Sequence, residues 1–267
     1  MILVVYRILY GTDFLERCLG SVYDAADKIF VGYSTEPWSQ PKNFPLLTDI
    51  ERSPPDVVEE YFDLSQGKIA ISQHQFNTPK GEFNFLHKKA LDLFYLRNEP
   101  PTLTIFMEPD MVWSPGVFKD FVKEAENYTH LFAPQIELWK THKYRIRRIH
   151  DQTRLGPAAY KDIPEFRFGA YNGKEQIISK HGCYNFGFCL NEKTMYYKHR
   201  AALDFSPKIK DSIPVESWYT EKWLNWTPAI GDLEPASKHI ANIPKADPFE
   251  MPEDMRKFMN ENPVKNT

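Results

Sequence analysis

The sequence predicts an α/β protein built on a mainly parallel sheet, with a smaller antiparallel part in its C-terminal half. Three observations carry this. The first 34 residues read as strand, helix, strand; the alternation continues to about residue 128; and beyond it the side chains alternate in the manner of antiparallel strands. At 267 residues the chain can enclose one substantial core, since single α/β domains reach ~250 residues. We therefore read 1–267 as one domain with halves at 1–130 and 131–245 and a tail at 246–267.

Each element has its own signal. "MILVVYRILYG" is β-branched and aromatic up to Gly11, and "TDFLERCLGSVYDAA" places Phe14, Cys18, Leu19 and Val22 at helical spacing behind Thr12 or Asp13 as cap. "KIFVGYS" is a second strand, so the opening is a β-α-β unit whose strands are expected to run parallel. The proline-rich stretch 35–55 reads as a long loop, a kind that is often functional. "KIAISQHQF" is a third strand, and "GEFNFLHKKALDLFYLRN" a helix with Phe85, Leu86, Ala90 and Leu93 on one face. "PTLTIFMEPD" is a fourth strand, followed by the helix "PGVFKDFVKEAENY" with Pro115 in its first turn. "THLFAPQIELWKTHKYRIRRIH" and "CYNFGFCL" read as strands, and 214–226 returns to helical spacing through Val215, Trp218, Tyr219, Lys222 and Trp226. Beyond Asp247 the chain is polar and proline-punctuated, and is expected to wrap the surface or fray.

With 42% hydrophobic and 15% aromatic residues, the composition excludes a disordered chain. No apolar run approaches the ~20 residues of a membrane span, and the opening lacks a signal peptide. A cytoplasmic protein is expected, in a host's cytoplasm if the chain is viral. Three cysteines with no CxxC pair point to reduced thiols. A net charge of -3 supplies no global drive toward nucleic acid or anionic membrane, although a local basic patch can still act.

Glu108 and Asp110 follow the fourth strand directly, at the edge where open α/β sheets gather their ligands. Two carboxylates there repel each other unless a positive charge sits beside them, and a divalent cation answers that need. Magnesium is commonly held by one or two carboxylates plus phosphate oxygens. In an extended chain the acid-x-acid spacing points both side chains the same way, and Pro109 stiffens it. The plainer alternative is a solvated acidic turn ahead of the helix that begins near Ser114.

The opening β-α-β segment "MILVVYRILYGTDFLERCLGSVYDAADKIFVGYST" and "FMEPDMVW", placed like a D-x-D motif, resemble the family 2-type glycosyltransferases of GT-A fold. The resemblance covers about residues 1–130, with a weaker echo through 240. It implies a nucleotide-diphospho-sugar transferase fold with helices on both sheet faces, 1–130 being the nucleotide-sugar half and 131–245 the acceptor half. It implies transfer of a sugar from a nucleotide-diphosphate donor, a UDP-sugar foremost, to a hydroxyl acceptor with inversion, assisted by manganese or magnesium. Asp110 carries over as the metal-touching aspartate; Glu108 stands where the family has its first aspartate. His239 occupies the place of a late metal-binding histidine, though a lone histidine is more often an ordinary surface or core residue.

For the donor, the resemblance points to Tyr6, Arg7 and Tyr10 at the end of the first strand. Either tyrosine also suits a core, whereas Arg7 in an apolar strand needs an anionic partner. Ser34 and Glu36 stand in for the family's acidic pair, and Lys80, Asn84 and Lys88 lie at helical spacing, where a solvated face is the alternative. Asp211 and Glu216 fall near the family's catalytic base; Glu216 equally suits the first turn of a helix. Trp113 and Trp218 are candidates for stacking on the acceptor, and core packing competes for both.

Between 137 and 154 lie Lys140, Lys143, Arg145, Arg147, Arg148 and Arg154, with Arg145 and Arg147 on one strand face. An anionic group on donor or acceptor explains such a cluster. The acceptor is thus a glycan or a hydroxylated DNA base, the latter being modified by some phage enzymes of glycosyltransferase type. A nucleotidyltransferase would need a glycine-rich, arginine-bearing loop after the first strand, which "RILYGTDFLER" does not supply. A carbohydrate-binding module is usually a smaller all-β domain, and a dinucleotide oxidoreductase would need a G-x-G-x-x-G turn that none of the 12 glycines form.

Overall fold

A computed structural model describes residues 1–36, 45–75, 82–147, 154–161, 176–205, 215–231, 233 and 245–261. Four strands, β1 (Ile2–Ile8), β2 (Lys28–Tyr33), β3 (Ile69–Gln73) and β4 (Leu103–Met107), run parallel in the order β3-β2-β1-β4. β8 (Arg154–Tyr160) joins β4 antiparallel, and β6 (His130–Trp139), β7 (Thr141–Arg147) and β10 (Lys245–Pro248) extend the sheet antiparallel from there. A short β5 (Met111–Val112) pairs antiparallel with β9 (Cys183–Phe188), which lies parallel to β6. This is the arrangement that the residue pattern predicted: a parallel half continued by an antiparallel one.

Period-two alternation along β1 feeds both faces of the sheet. Val4, Tyr6 and Ile8 enter the larger core with α1 (Leu15–Tyr23), α2 (Pro54–Tyr61) and α4 (Val117–Ala125); Leu3 and Val5 meet Phe83, Leu86 and Ala90 of α3 (Glu82–Leu93) on the other face. Burying each large apolar side chain contributes about 1.5–3 kcal/mol, so this alternation fixes the register of the central strand. By the same count Arg7 falls on the α3 side. A third apolar cluster joins Trp139 to α5 (Glu192–Phe205) and to α6, which is helical at Val215–Ser217 and continues as a π-helix over Trp218–Leu224.

Several local expectations are revised. Pro54 and Pro55 open α2 inside the stretch read as loop, because proline is tolerated in a first turn where no N–H is needed, and Ser53 caps it through Asp56 N–H at 3.4 Å. α3 turns Phe83, Leu86 and Ala90 inward and leaves Phe85 and Leu93 exposed. Pro115 precedes α4, whose N-cap is Gly116 at φ 79°. Asp13 caps nothing in α1; its carboxylate accepts from Asn191, whose own Oδ1 caps α5 by accepting from Thr194 N–H at 3.0 Å. The stretch after Asp247 docks: Met251 and Met255, the latter on α7 (Glu253–Asn260), are buried in the main core. Cys18, Cys183 and Cys189 are free thiols. Among the described residues no helix is long and apolar enough to cross a membrane.

Candidate functional site

The parallel register of β1 and β4 sets Tyr6 beside Met107, so the next residues, Arg7 and Glu108, emerge side by side at the carboxyl edge. The Arg7 guanidinium hydrogen-bonds Glu108, lies 3.6 Å from Glu82 Oε2, and stacks over the Phe83 ring at 4.7 Å. Burial would raise the Glu108 carboxyl, but Arg7 and then Arg154 outweigh it and hold it below the ordinary carboxylate range. Glu82 shows the opposite balance: burial pushes it up to about 7 despite Arg7.

After β4 the chain turns instead of running on extended. Met111 N–H donates to Glu108 O at 3.3 Å, with Pro109 and Asp110 as the central turn residues. The i,i+2 argument for parallel side chains therefore does not apply, yet both acids line the same cavity of about 170 Å³ with Arg7, Tyr10, Arg154 and Lys198. Asp110 is buried, and burial raises its carboxyl, with Glu108 adding to the rise and Lys198 opposing it. Its Oδ2 lies 4.0 Å from Lys198 Nζ, while Oδ1 is buried without a hydrogen-bond partner.

Lys198 comes from α5. Its ammonium donates to Gly187 O and sits over the rings of Tyr10 at 5.2 Å and Phe188 at 5.0 Å. The site closes tightly on Gly187: a Cβ would lie 2.6 Å from Asp110 Oδ2 and 2.8 Å from Lys198 Nζ, so a larger residue would displace both charged tips. Arg154 donates to Glu137 at 2.7 Å on the far wall. Asn185 receives Gly187 N–H at 2.8 Å and donates to Gln135 Oε1 at 2.8 Å, bracing that wall. The compensation that sequence reasoning sought from an ion is thus supplied in large part by Arg7, Arg154 and Lys198.

The fit of a divalent ion rests on one atom. Asp110 Oδ1, buried and unpartnered, suits a single protein ligand in a shell completed by phosphate oxygens and water, whereas Glu108 is already engaged by Arg7. Among the described residues, no group of three or more His, Cys, Asp and Glu side chains converges as a metal cage.

Of the other expected site residues, Tyr10 lines the cavity, but Tyr6 points into the core and its hydroxyl donates to Cys18 O at 3.4 Å. Ser34 is buried and donates to Glu36 O at 2.9 Å, and Glu36 accepts from Gln75 at 2.6 Å; both lie past the end of β2. Asn84 and Lys88 do not line the cavity; α3 reaches the site through Glu82. Glu216 is 61% exposed beside Arg200 and Tyr196, outside the cavity. Trp113, packed on Phe118 and Phe121, and Trp218, bonded to Leu233 O at 2.8 Å, are buried, so neither ring face is available for stacking. Arg145 and Arg147 are exposed and line a separate groove. Lys80, Asp211 and His239 lie outside the described residues. Sequence reasoning missed Lys198 and Glu82, and counted Arg154 only within the basic cluster. The Asn191 cap and Thr194 were the signal that a helix carrying Lys198 begins just after β9.

Fold and site together define an open α/β protein with a polar, charge-paired pocket where its parallel strands end. No family model and no curated protein matches the sequence. Among solved structures, 4-diphosphocytidyl-2C-methyl-D-erythritol synthase from Anaerococcus prevotii is 13% identical, covering 76% of this chain and 96% of that one with a TM-score of 0.41. S. aureus TarS 1–349 in complex with UDP is 12% identical over 84% of this chain and 70% of that one, with a TM-score of 0.42. The complex of TarS with UDP-GlcNAc is 16% identical over 52% and 35%, with a TM-score of 0.34. Likenesses of this size establish neither family nor activity, so the functional reading is built from the side chains.

Proposed function

We propose that this protein is a glycosyltransferase that moves a sugar from a nucleotide-diphosphate donor, with a UDP-sugar first in line, to a hydroxyl acceptor. One observation carries the reading: at the carboxyl edge of β1 and β4, a buried aspartate with a free oxygen faces a cavity ringed by three cations, Arg7, Arg154 and Lys198. A pocket of that make-up suits a diphosphate, whose negative charge grows as it leaves.

In this reading the acceptor hydroxyl oxygen bonds to the anomeric carbon as the bond from that carbon to the diphosphate oxygen breaks. The electron pair departs with the diphosphate, and the largely buried Lys198 and Arg7, with Arg154 at the rim, hold that charge in fixed positions. A single displacement of this kind inverts the anomeric centre. The acceptor proton goes to a base, for which the family resemblance offers Asp211 and Glu216; Glu216 lies outside the cavity, so Asp211 is the candidate. A divalent ion, held by Asp110, would add positive charge against the departing diphosphate.

The test is a thermal-shift panel of nucleoside diphosphates and their sugars, with manganese or with chelator. Stabilisation by one nucleotide family, lost in Asp110→Asn, supports the reading; no response to any nucleotide overturns it. Product analysis then separates the two transferase chemistries, because sugar transfer releases a nucleoside diphosphate whereas nucleotidyl transfer releases pyrophosphate.

A further inference from the structure

Beside the acid cavity, and sharing Arg154 with it, lies a groove of about 710 Å³ along β6, β7 and β9. Its charged lining is Arg145, Arg147, Arg154 and Lys180 against one carboxylate, Glu137, which is itself bound to Arg154. Counting Asp247 beside Arg147 as well, four cations stand against two carboxylates, a local excess of two positive charges in a chain of net charge -3. The fold uses up only part of them, since Glu137 engages Arg154 and Asp247 approaches Arg147. Arg145 and Arg147 are exposed on β7, while Tyr144 and Ile146, which alternate with them, pack against the tryptophan cluster. Arg145 lies over the Phe249 ring at 5.7 Å, and Arg147 approaches Asp247 at 3.6 Å with 70% of its side chain exposed.

We propose that this groove binds the acceptor, and that the acceptor is a nucleic-acid strand held by its phosphates. The assignment of the strand as acceptor rests on the glycosyltransferase reading; the binding itself does not. The groove lies on the β6-β7-β9 side of Asp110, opposite the ends of β2 and β3, so a donor reaching from those strand ends meets it at Arg154. Alternate residues of a strand stand ~6.6–6.8 Å apart, close to the phosphate-to-phosphate step of an extended nucleic-acid strand. A glycan groove would instead be expected to present exposed aromatic faces, yet the aromatic side chain in this lining, Tyr184, is buried. What the groove presents is cations, the chemistry that recognises phosphodiesters.

Fluorescence anisotropy with a short labelled single-stranded DNA tests this, read as a function of salt. Contacts from Arg145, Arg147 and Lys180 give a slope of log K against log salt of about −2, at ~0.7 per phosphate on a single strand. The double variant Arg145→Ala/Arg147→Ala should weaken binding about tenfold or more at moderate salt and reduce the slope toward −0.7, equally for all sequences. Lys193→Ala/Lys257→Ala removes the same charge elsewhere and should leave binding unchanged. The nucleotide-sugar thermal shift, measured on the same samples, should survive in both variants. If wild type binds nucleotide sugar but not DNA, the proposal fails and the donor reading stands. DNA binding without any nucleotide response keeps the groove as a binding site and removes the glycosyltransferase reading. Inorganic polyphosphate binding as tightly as DNA, with the same slope, overturns the nucleic-acid assignment in favour of a general polyanion site.

Discussion

In the cavity at the end of β1 and β4, Glu82, Glu108 and Asp110 stand against Arg7, Arg154 and Lys198; along the groove, Arg145, Arg147, Arg154 and Lys180 stand against Glu137. Apart from Arg154, which both sets share and whose side chain is 46% exposed, the first set is largely removed from water, so each charge there depends on its partner. The second is in excess and solvated, so its charges are available to something outside the chain. The contrast separates side chains that the folded state needs from side chains that it merely displays: removing one partner of a buried pair strands the other, whereas trimming an exposed cation strands nothing.

That contrast can be broken in four ways. Under the proposed reading Asp110→Asn should have the largest effect, reducing sugar transfer by about 10²–10³-fold, because it removes the ligand that would hold the cation set against the departing diphosphate; transfer at wild-type rate would remove the aspartate from the site. Lys198→Met keeps most of the stem's apolar contacts but deprives Asp110 of its nearest cation, so chemical denaturation should show a loss of about 3 kcal/mol. Adding Asp110→Asn to that variant should restore most of the loss, and simple additivity would show that the pair is not coupled. Glu82→Gln sharpens the comparison through pH. The folded carboxyl titrates near 7 against an ordinary value of 4.5, so the folded state holds the extra proton. Its contribution is complete below about 4.5 and is lost as pH rises to about 7, a fall of up to about 3 kcal/mol that the glutamine variant should abolish. Last, Arg145→Ala and Arg147→Ala should each change stability by less than about 0.5 kcal/mol, as exposed positions do, and a larger loss would mean that the groove is structural.

The parallel half was legible because its signals are local. An apolar run, a glycine and a 3.6-residue repeat recover β1, α1 and β2 in order, and the edge position of Glu108 and Asp110 follows from strand order alone. The partners of those acids were less legible, since Lys198 arrives from a helix 88 residues after Asp110 and is aimed by α5, whose Asn191 cap went unread. Trp113 and Trp218 illustrate a different failure: an aromatic ring beside a charged motif looks like a binding face in sequence, but its large apolar area draws it inside when neighbours such as Phe118 and Phe121 are available. The extended reading of "EPD" failed because proline at the second position of a tight turn favours the bend that is observed.

β9 ties these parts together. It lies parallel to β6 and antiparallel to β5, and within six residues it contributes Cys183 and Tyr184 to the groove and Asn185 to the cavity. The two recesses are therefore spaced by main-chain ladders and not by a joint, so the span between them is a built-in ruler. A bound pair of molecules must match that span by their own length and bend, and enlarging either recess by mutation will shift its floor without moving it any closer to the other.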